Sequence, residues 1–396
     1  MATRTIGTPR FYCDIPSYLR SIGKYYGVRT TGLATPEEPN QEKVYNMNPY
    51  KPNEFDGGDS HSWASFRFFI NQDVVDTNSQ IFIEDDELWK LLSYTNNSDG
   101  HHSTGWFSGV LGHNFGSLQS TMSSVLSMTQ KFKGVADGGA SAENSTPSSF
   151  EEIVNARSGG TGSGWAVAEY DGYSLWEITS RIDIDVWRYN ILTHSFENTV
   201  DWGSNNLKIG ACTCGIFFEP PNSPDLQVKL SLEYEGINSD ETIGGSTLVN
   251  IDYTGVPNWG DLPAWTLQKT DGSDYTTVAN RARRTWELSF SYISDDNLFD
   301  KANNSNKFVN DTFSSDVEDN HTNAKFDTSM SSFFKLTHFG ALPFIFCPNS
   351  QLLDDSGNVD KEKLEFAICE LDQDSLVATQ VAHQTWNISM RVVEVW

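Results

Sequence analysis

Three segments of this chain alternate apolar and polar residues with a period of two, and that pattern constrains the fold more than any other feature. Leu226, Val228, Leu230, Leu232 and Tyr234 share one face of an extended segment. Trp286, Leu288, Phe290 and Tyr292 repeat the pattern, and Trp386, Ile388, Met390 and Val392 repeat it again. Successive side chains of a strand point to opposite faces, whereas a helix cannot gather i, i+2 and i+4 on one side. Further strands are expected at 63–70, 106–114, 165–170, 173–178, 181–189 and 207–218. Helical periods are few and short: residues 14–26, with Asp14 as N-cap, Pro16 in the first turn and Gly27 as the stop, and residues 85–94. The expected class is all-β: two β-sandwich-like domains with long loops and an N-terminal arm carrying a short helix.

The expected boundaries follow from punctuation. Residues 1–55 form the arm, a small helix followed by a tether stiffened by Pro36, Pro39, Pro49 and Pro52. Such an arm can reach a neighbouring subunit or strap down its own domain. The first β-domain is 56–220 and the second 221–396, divided where Pro220, Pro221 and Pro224 break any ladder. Residues 115–132 fit either a helix or an exposed strand. Residues 133–164, rich in Gly, Ser, Ala and Thr, read as a flexible segment with a helical turn or two at 149–156. Residues 295–327, acidic and poor in aliphatics, read as a solvated excursion.

Charge narrows the partners. The 396 residues carry a formal net charge of −26. Nucleic-acid affinity comes mainly from clustered Lys and Arg, and anionic membranes also select basic surfaces, so neither is expected as a partner. Residues 1–9 hold no apolar run of signal-peptide length, and the longest apolar runs fall short of the roughly 20 residues that span a bilayer. Assembly in a cytoplasm is the resulting expectation. Five cysteines, Cys13, Cys212, Cys214, Cys347 and Cys369, are too few for a disulfide framework and read as buried thiols.

Sequence motifs for chemistry are weak. Residues 159–164 (GGTGSG) resemble a phosphate loop, but they precede a strand instead of opening a helix. Glu169, Asp171 and Glu177 lie among aromatic residues, the neighbourhood a glycosidase pair would need, yet strand alternation exposes most acids here. Asp99, His101, His102 and His113 are the sole suggestive metal grouping, and residues 354–360 misplace the glycine of a calcium loop. No catalytic, metal or cofactor residue is therefore expected. Arg281, Arg283 and Arg284 form the sole basic cluster and are the candidate interface, pairing with acids of the chain itself or of a partner. In an alternative reading, Trp165 and Trp176 stack on a glycan and the protein recognises a host cell surface.

Several blocks resemble virion structural proteins of aquatic tailed bacteriophages. These are residues 7–12 (GTPRFY), 47–49 (MNP), 110–114 (VLGHN), 220–226 (PPNSPDL), 233–236 (EYEG), 283–292 (RRTWELSFSY), 342–346 (LPFIF) and 394–396 (EVW). The chain departs from that pattern at residues 347–349 and in the long 133–164 segment. The resemblance implies a non-enzymatic structural role in a virion, with tail, neck or baseplate favoured over capsid. It implies assembly in the host cytoplasm through contacts with further copies of itself and with other virion proteins, by strand pairing and aromatic packing.

Overall fold

A computed structural model describes residues 7–23, 25, 27–31, 43–49, 52–56, 63–69, 106–122, 126–135, 141–145, 150–154, 165–166, 170–178, 188–198, 205–233, 237–251, 258–259, 262–263, 267–269, 274–276, 283–299, 330–351, 364–372 and 375–395. Strands dominate, numbered here in chain order. The largest sheet has 13 of them. Its path runs β14 (Lys229–Glu233), β21 (Arg283–Ser294), β25 (Thr385–Glu394), β23 (Ala367–Leu371), β22 (Phe344–Cys347), β1 (Arg10–Asp14), β13 (Ala211–Phe218), β5 (Trp106–His113), β10 (Tyr170–Ile178), β19 (Leu267–Lys269) and β20 (Asp274–Thr276). Beside this path, β24 (Ala378–Ala382) pairs with β25 and β8 (Phe150–Val154) with β10.

A second, six-stranded sheet comprises β2 (Gly27–Thr31), β4 (Trp63–Phe69), β11 (Arg188–Asn198), β6 (Leu126–Val135) and β7 (Ser141–Ser145), with β9 (Trp165–Ala166) on β6. Three two-stranded pairs complete the set: β3 (Asn53–Asp56) with β12 (Asn206–Ile209), β15 (Ile237–Glu241) with β16 (Thr247–Ile251), and β17 (Asn258–Trp259) with β18 (Leu262–Pro263). The expected all-β class is the observed one.

The main sheet does not follow the expected divisions. β1, inside the expected arm, is a central strand. Phe11 lies opposite Phe218 of β13 on one side and Phe346 of β22 on the other. The segments 1–55, 56–220 and 221–396 therefore all contribute to one sheet, because backbone pairing joins strands that punctuation separates. The helix α1 (Ile15–Ser21) begins where expected, with the Asp14 carboxylate accepting from the Ser17 N–H. It stops sooner, at Ile22, where Gly23 takes the left-handed φ of 77° that ends a helix readily.

Both faces of the central strands are covered, so β13 and β22 are buried along their whole length. One buried cluster joins Phe66 and Phe68 of β4 and Phe196 of β11 to Val110 of β5 and to Cys212, Cys214 and Phe218 of β13. The six-stranded sheet thus packs on one face of the main sheet, in sandwich fashion. The opposite face buries Tyr12, Phe107, Leu111, Tyr173, Phe217, Ile345 and Ile368. At the β14–β21–β25 end that second face is polar. There Lys229 meets Glu287 at 2.9 Å, Glu287 faces Arg391 in register, and Arg391 pairs with Asp372.

Several local expectations change. Residues 115–132 divide into α2 (Phe115–Met122) and β6, so the ambiguity came from two elements in succession. Residues 133–164 are partly laddered: β7 pairs along β6, and 150–154 is strand β8 on β10 instead of helical turns. Neighbouring strands override the poor strand propensity of Ser and Ala. Tyr292 was expected inward, but the register shifts between Phe290 and Ile293; Ile293 takes the buried position, and Tyr292, with φ 60°, points out. Leu226 and Leu232 are also exposed, since β14 is an edge strand that begins only at Lys229. The short α3 (Asp295–Leu298) follows β21, and α4 (Met330–Leu336) precedes β22. Residues 85–94, 99–102, 159–164, 181–187, 301–327 and 354–360 lie outside the described residues.

Gly215 marks the tightest crossing. A Cβ there would stand 1.9 Å from the Cys13 carbonyl oxygen on β1. Gly215→Ala is expected to destabilise the protein by at least the ~1–3 kcal/mol usual for overpacking, read as a lower midpoint in chemical denaturation.

Candidate functional site

Four buried polar constellations among the described residues bear on possible chemistry. At the first, Arg284 enters on β21 and Glu394 on β25, both pointing into the apolar face. The Arg284 Nε and backbone N–H each donate to Glu394 Oε2 at 3.0 Å, and Nη2 donates to Oε1 at 2.8 Å and to the Phe366 carbonyl at 2.7 Å. Side-chain exposure is 2% and 0%. Burial alone would push the guanidinium pKa down; the Glu394 charge and hydrogen bonds outweigh it, and the pKa rises. This is a structural lock.

The expected interface triad is corrected accordingly. Arg284 is sealed in the core and bonded within its own chain, so it offers nothing to a partner. Arg283, half-exposed at the start of β21, faces Glu233 in register. Arg281 lies outside the described residues.

The second constellation lies on the opposite face of the main sheet. Arg10 Nη1 donates to Glu177 Oε2 at 2.6 Å and Nε to Glu219 Oε2 at 2.5 Å, while the Tyr12 hydroxyl donates to Glu177 Oε1 at 2.6 Å. Desolvation pushes the Glu177 carboxyl up, against Arg10 and Tyr12, which favour its charge. Glu177 is thus consumed by β1 and is not half of a free carboxylate pair. Asp171 is likewise engaged, accepting from the Ser117 N–H at 2.9 Å and from the Ser117 hydroxyl in the first turn of α2. Glu169 lies outside the described residues.

The third is a relay across the two sheets. Tyr45 donates to the Phe66 carbonyl at 3.0 Å, so its oxygen accepts from His194 Nδ1 at 2.8 Å. That leaves His194 Nε2 to accept from Ser108 Oγ at 3.2 Å. This serine–imidazole tautomer is the one a nucleophile would need, with a tyrosine in place of the orienting carboxylate. All three side chains are fully buried, however, and no substrate carbonyl can approach Ser108. The fourth pairs His113 with Ser174 at 2.7 Å, also in the core.

Trp176, expected at a glycan groove, is 1% exposed and part of the main cluster. Leu175 and Trp176 point to opposite faces of β10 and both are buried, so Trp176 belongs to the core packing. Trp165 starts β9, opposite Met128. The five cysteines are free and buried, as expected, and burial pushes the Cys347 thiol up to about 12. Among the described residues, no three His, Cys, Asp or Glu side chains gather as metal ligands.

Among the described residues, exposed aliphatic side chains mark a candidate contact surface. The hairpin β15–β16 turns through Thr242–Ser246, closed by Thr242 N–H to the Ser246 carbonyl at 2.9 Å. Ile243 at its tip is 110% exposed, Leu248 61% and Val249 56%. Leu248 and Val249 alternate, so an aliphatic side chain faces solvent on each side of the ribbon. The hairpin follows β14, whose described pairing is with β21 alone. Sequence reading missed this hairpin because its first strand is polar and an exposed ribbon lacks a buried face; the signal available was Gly244-Gly245, with Thr242-Ile243 before it and Thr247-Leu248-Val249 after. No known protein family, curated protein or solved structure matches the chain.

Proposed function

We propose that this protein is a non-enzymatic structural component of a bacteriophage virion that assembles with further copies of itself, with tail, neck or baseplate favoured over capsid. The observation carrying the assembly is the β15–β16 hairpin: an isolated two-stranded ribbon is marginal in water, and one with aliphatic residues on both faces gains stability by packing on another subunit. Its neighbour β14, paired with β21 alone among the described residues, presents its other edge to a second copy. The phage reading draws support from where the resembling blocks fall. Residues 10–12, 110–113, 283–292, 344–346 and 394 lie on β1, β5, β21, β22 and β25, the strands that build the main sheet.

The test is paired substitution on the hairpin. Ile243→Asp with Leu248→Asp is expected to leave the far-ultraviolet spectrum and denaturation midpoint unchanged, because neither side chain touches the core, and to shift the solution mass from oligomer to monomer. An unchanged oligomer would sink the hairpin as the contact. The phage role fails separately if peptides of the chain are missing from purified particles of the phage that encodes it. No specific observation favours the glycan-binding alternative, since Trp176 is buried.

A further inference from the structure

Two imidazoles flank the joint between the sheets. His194, on β11, reaches across to Ser108 of the main sheet and is fixed by Tyr45. His113, the last residue of β5, stacks on Phe115 with centroids 3.9 Å apart and an interplanar angle of 13°. The Phe115 ring in turn meets Phe196 of β11 at 5.5 Å. Both imidazoles are buried, and no carboxylate is hydrogen-bonded to either among the described contacts.

We propose that His113 and His194 form an acid-operated latch, holding the six-stranded sheet against the main sheet at neutral pH and releasing it on acidification.

Among the described residues, the carboxylates near these imidazoles are already engaged. Among the described residues, Tyr45 is hydrogen-bonded to His194, and Cys212, Cys214 and Asp14 lie near Tyr45; burial keeps the Tyr45 hydroxyl and the Cys212 thiol neutral. Asp14 is occupied by Ser17 and by Thr213 Oγ1 at 2.7 Å, and burial raises its pKa. On β10, which pairs with His113, the Tyr173 side chain is buried in the opposite face of the main sheet and Asp171 is committed to Ser117. A proton therefore reaches either imidazole only if the joint opens to water.

Desolvation lowers both imidazoles to about 3, from the ordinary 6.5. A depressed folded value means that the stabilisation is complete above pH ~6.5 and is lost as pH falls from there toward ~3. Each imidazole then favours the open joint by up to about tenfold per pH unit, and the two together by up to about a hundredfold. Asp14, Asp171 and Glu177 are raised by burial and oppose this just above the ordinary carboxylate range, which makes the variant-minus-wild-type difference the quantity to read.

The experiment is hydrogen–deuterium exchange with mass spectrometry on the full chain, from neutral pH to about 4.5, corrected for intrinsic exchange. Protection in β4, β6 and β11 is expected to fall with acidification while β1, β13 and β22 keep theirs. His194→Gln and His113→Gln are each expected to reduce the dependence in β4, β6 and β11 by up to about tenfold per pH unit. Loss of protection in all strands together, or variants with the wild-type slope, would overturn the latch. Should a variant fail to fold, wild-type imidazole NMR decides: two histidines that do not titrate before the joint opens support the latch, and all eight titrating near pH ~6.5 contradict it.

Discussion

Removal of residues 1–14 is expected to abolish cooperative folding, not merely assembly. β1 carries backbone ladders to β13 and β22 at once, and its loss would leave two exposed strand edges in the middle of the main sheet. Phe11 packs against Phe333 at 4.8 Å and Phe346 at 5.1 Å, and Tyr12 holds Glu177 on the other face. Phe11→Ala alone is expected to cost ~3–5 kcal/mol, the usual range for deleting a buried aromatic ring. The measurements are far-ultraviolet circular dichroism and solubility for the truncation, and denaturant midpoints for the point variant. A truncated chain that melts cooperatively would show that β1 is dispensable. An exchangeable arm requires a folded remainder; a central strand leaves none. Of the two roles open to the arm, the pairing of β1 with β13 and β22 favours the strap on its own fold.

The second large effect belongs to the Arg284–Glu394 pair. Arg284→Ala leaves the Glu394 carboxylate without its charge partner at zero exposure, and Glu394→Gln leaves the guanidinium likewise. Each is expected to cost ~3–5 kcal/mol in chemical denaturation, because an uncompensated buried charge keeps its desolvation penalty and loses its attraction. Arg284→Lys should recover little, since one ammonium cannot reproduce the forked contacts to both carboxylate oxygens and to the Phe366 carbonyl. The double replacement Arg284→Met with Glu394→Leu should be milder than either charge-removing single, because no orphaned charge remains. A single variant within ~0.5 kcal/mol of wild type, the range of ordinary surface substitutions, would refute the lock.

This pair was within reach of the sequence. The alternation Trp286, Leu288, Phe290 extends backward to Arg284, and Trp386, Ile388, Met390, Val392 extends forward to Glu394. Two strands with opposite charges at matching ends of their apolar faces imply an antiparallel pair with a buried salt bridge. The strand class was legible from local periodicity, and the buried cysteines from a count too small for a disulfide framework. Strand order was not, because the partners of β1 lie far along the chain and nothing local names them. The exposure of Tyr292 was hidden too, since a bulge adds a residue without leaving a mark in the alternation. Trp176 misled because aromatic density looks alike in a groove and in a core; only the second buried face of the main sheet distinguishes them. The Tyr45–His194–Ser108 relay draws on three separate elements, so no spacing announces it.

Self-association through the hairpin is the central functional claim, and charge sharpens its test. With Arg284 internal, the proposed contact would rest on exposed aliphatic residues and backbone pairing, while copies carrying −26 each repel. Salt screens that repulsion and so should strengthen association. The deciding measurement is the mass of the intact chain by light scattering at low and at high ionic strength. The account predicts a defined multiple of 44.3 kDa, with the larger oligomeric share at high salt. A mass of 44.3 kDa at both, up to the highest soluble concentration, would contradict it.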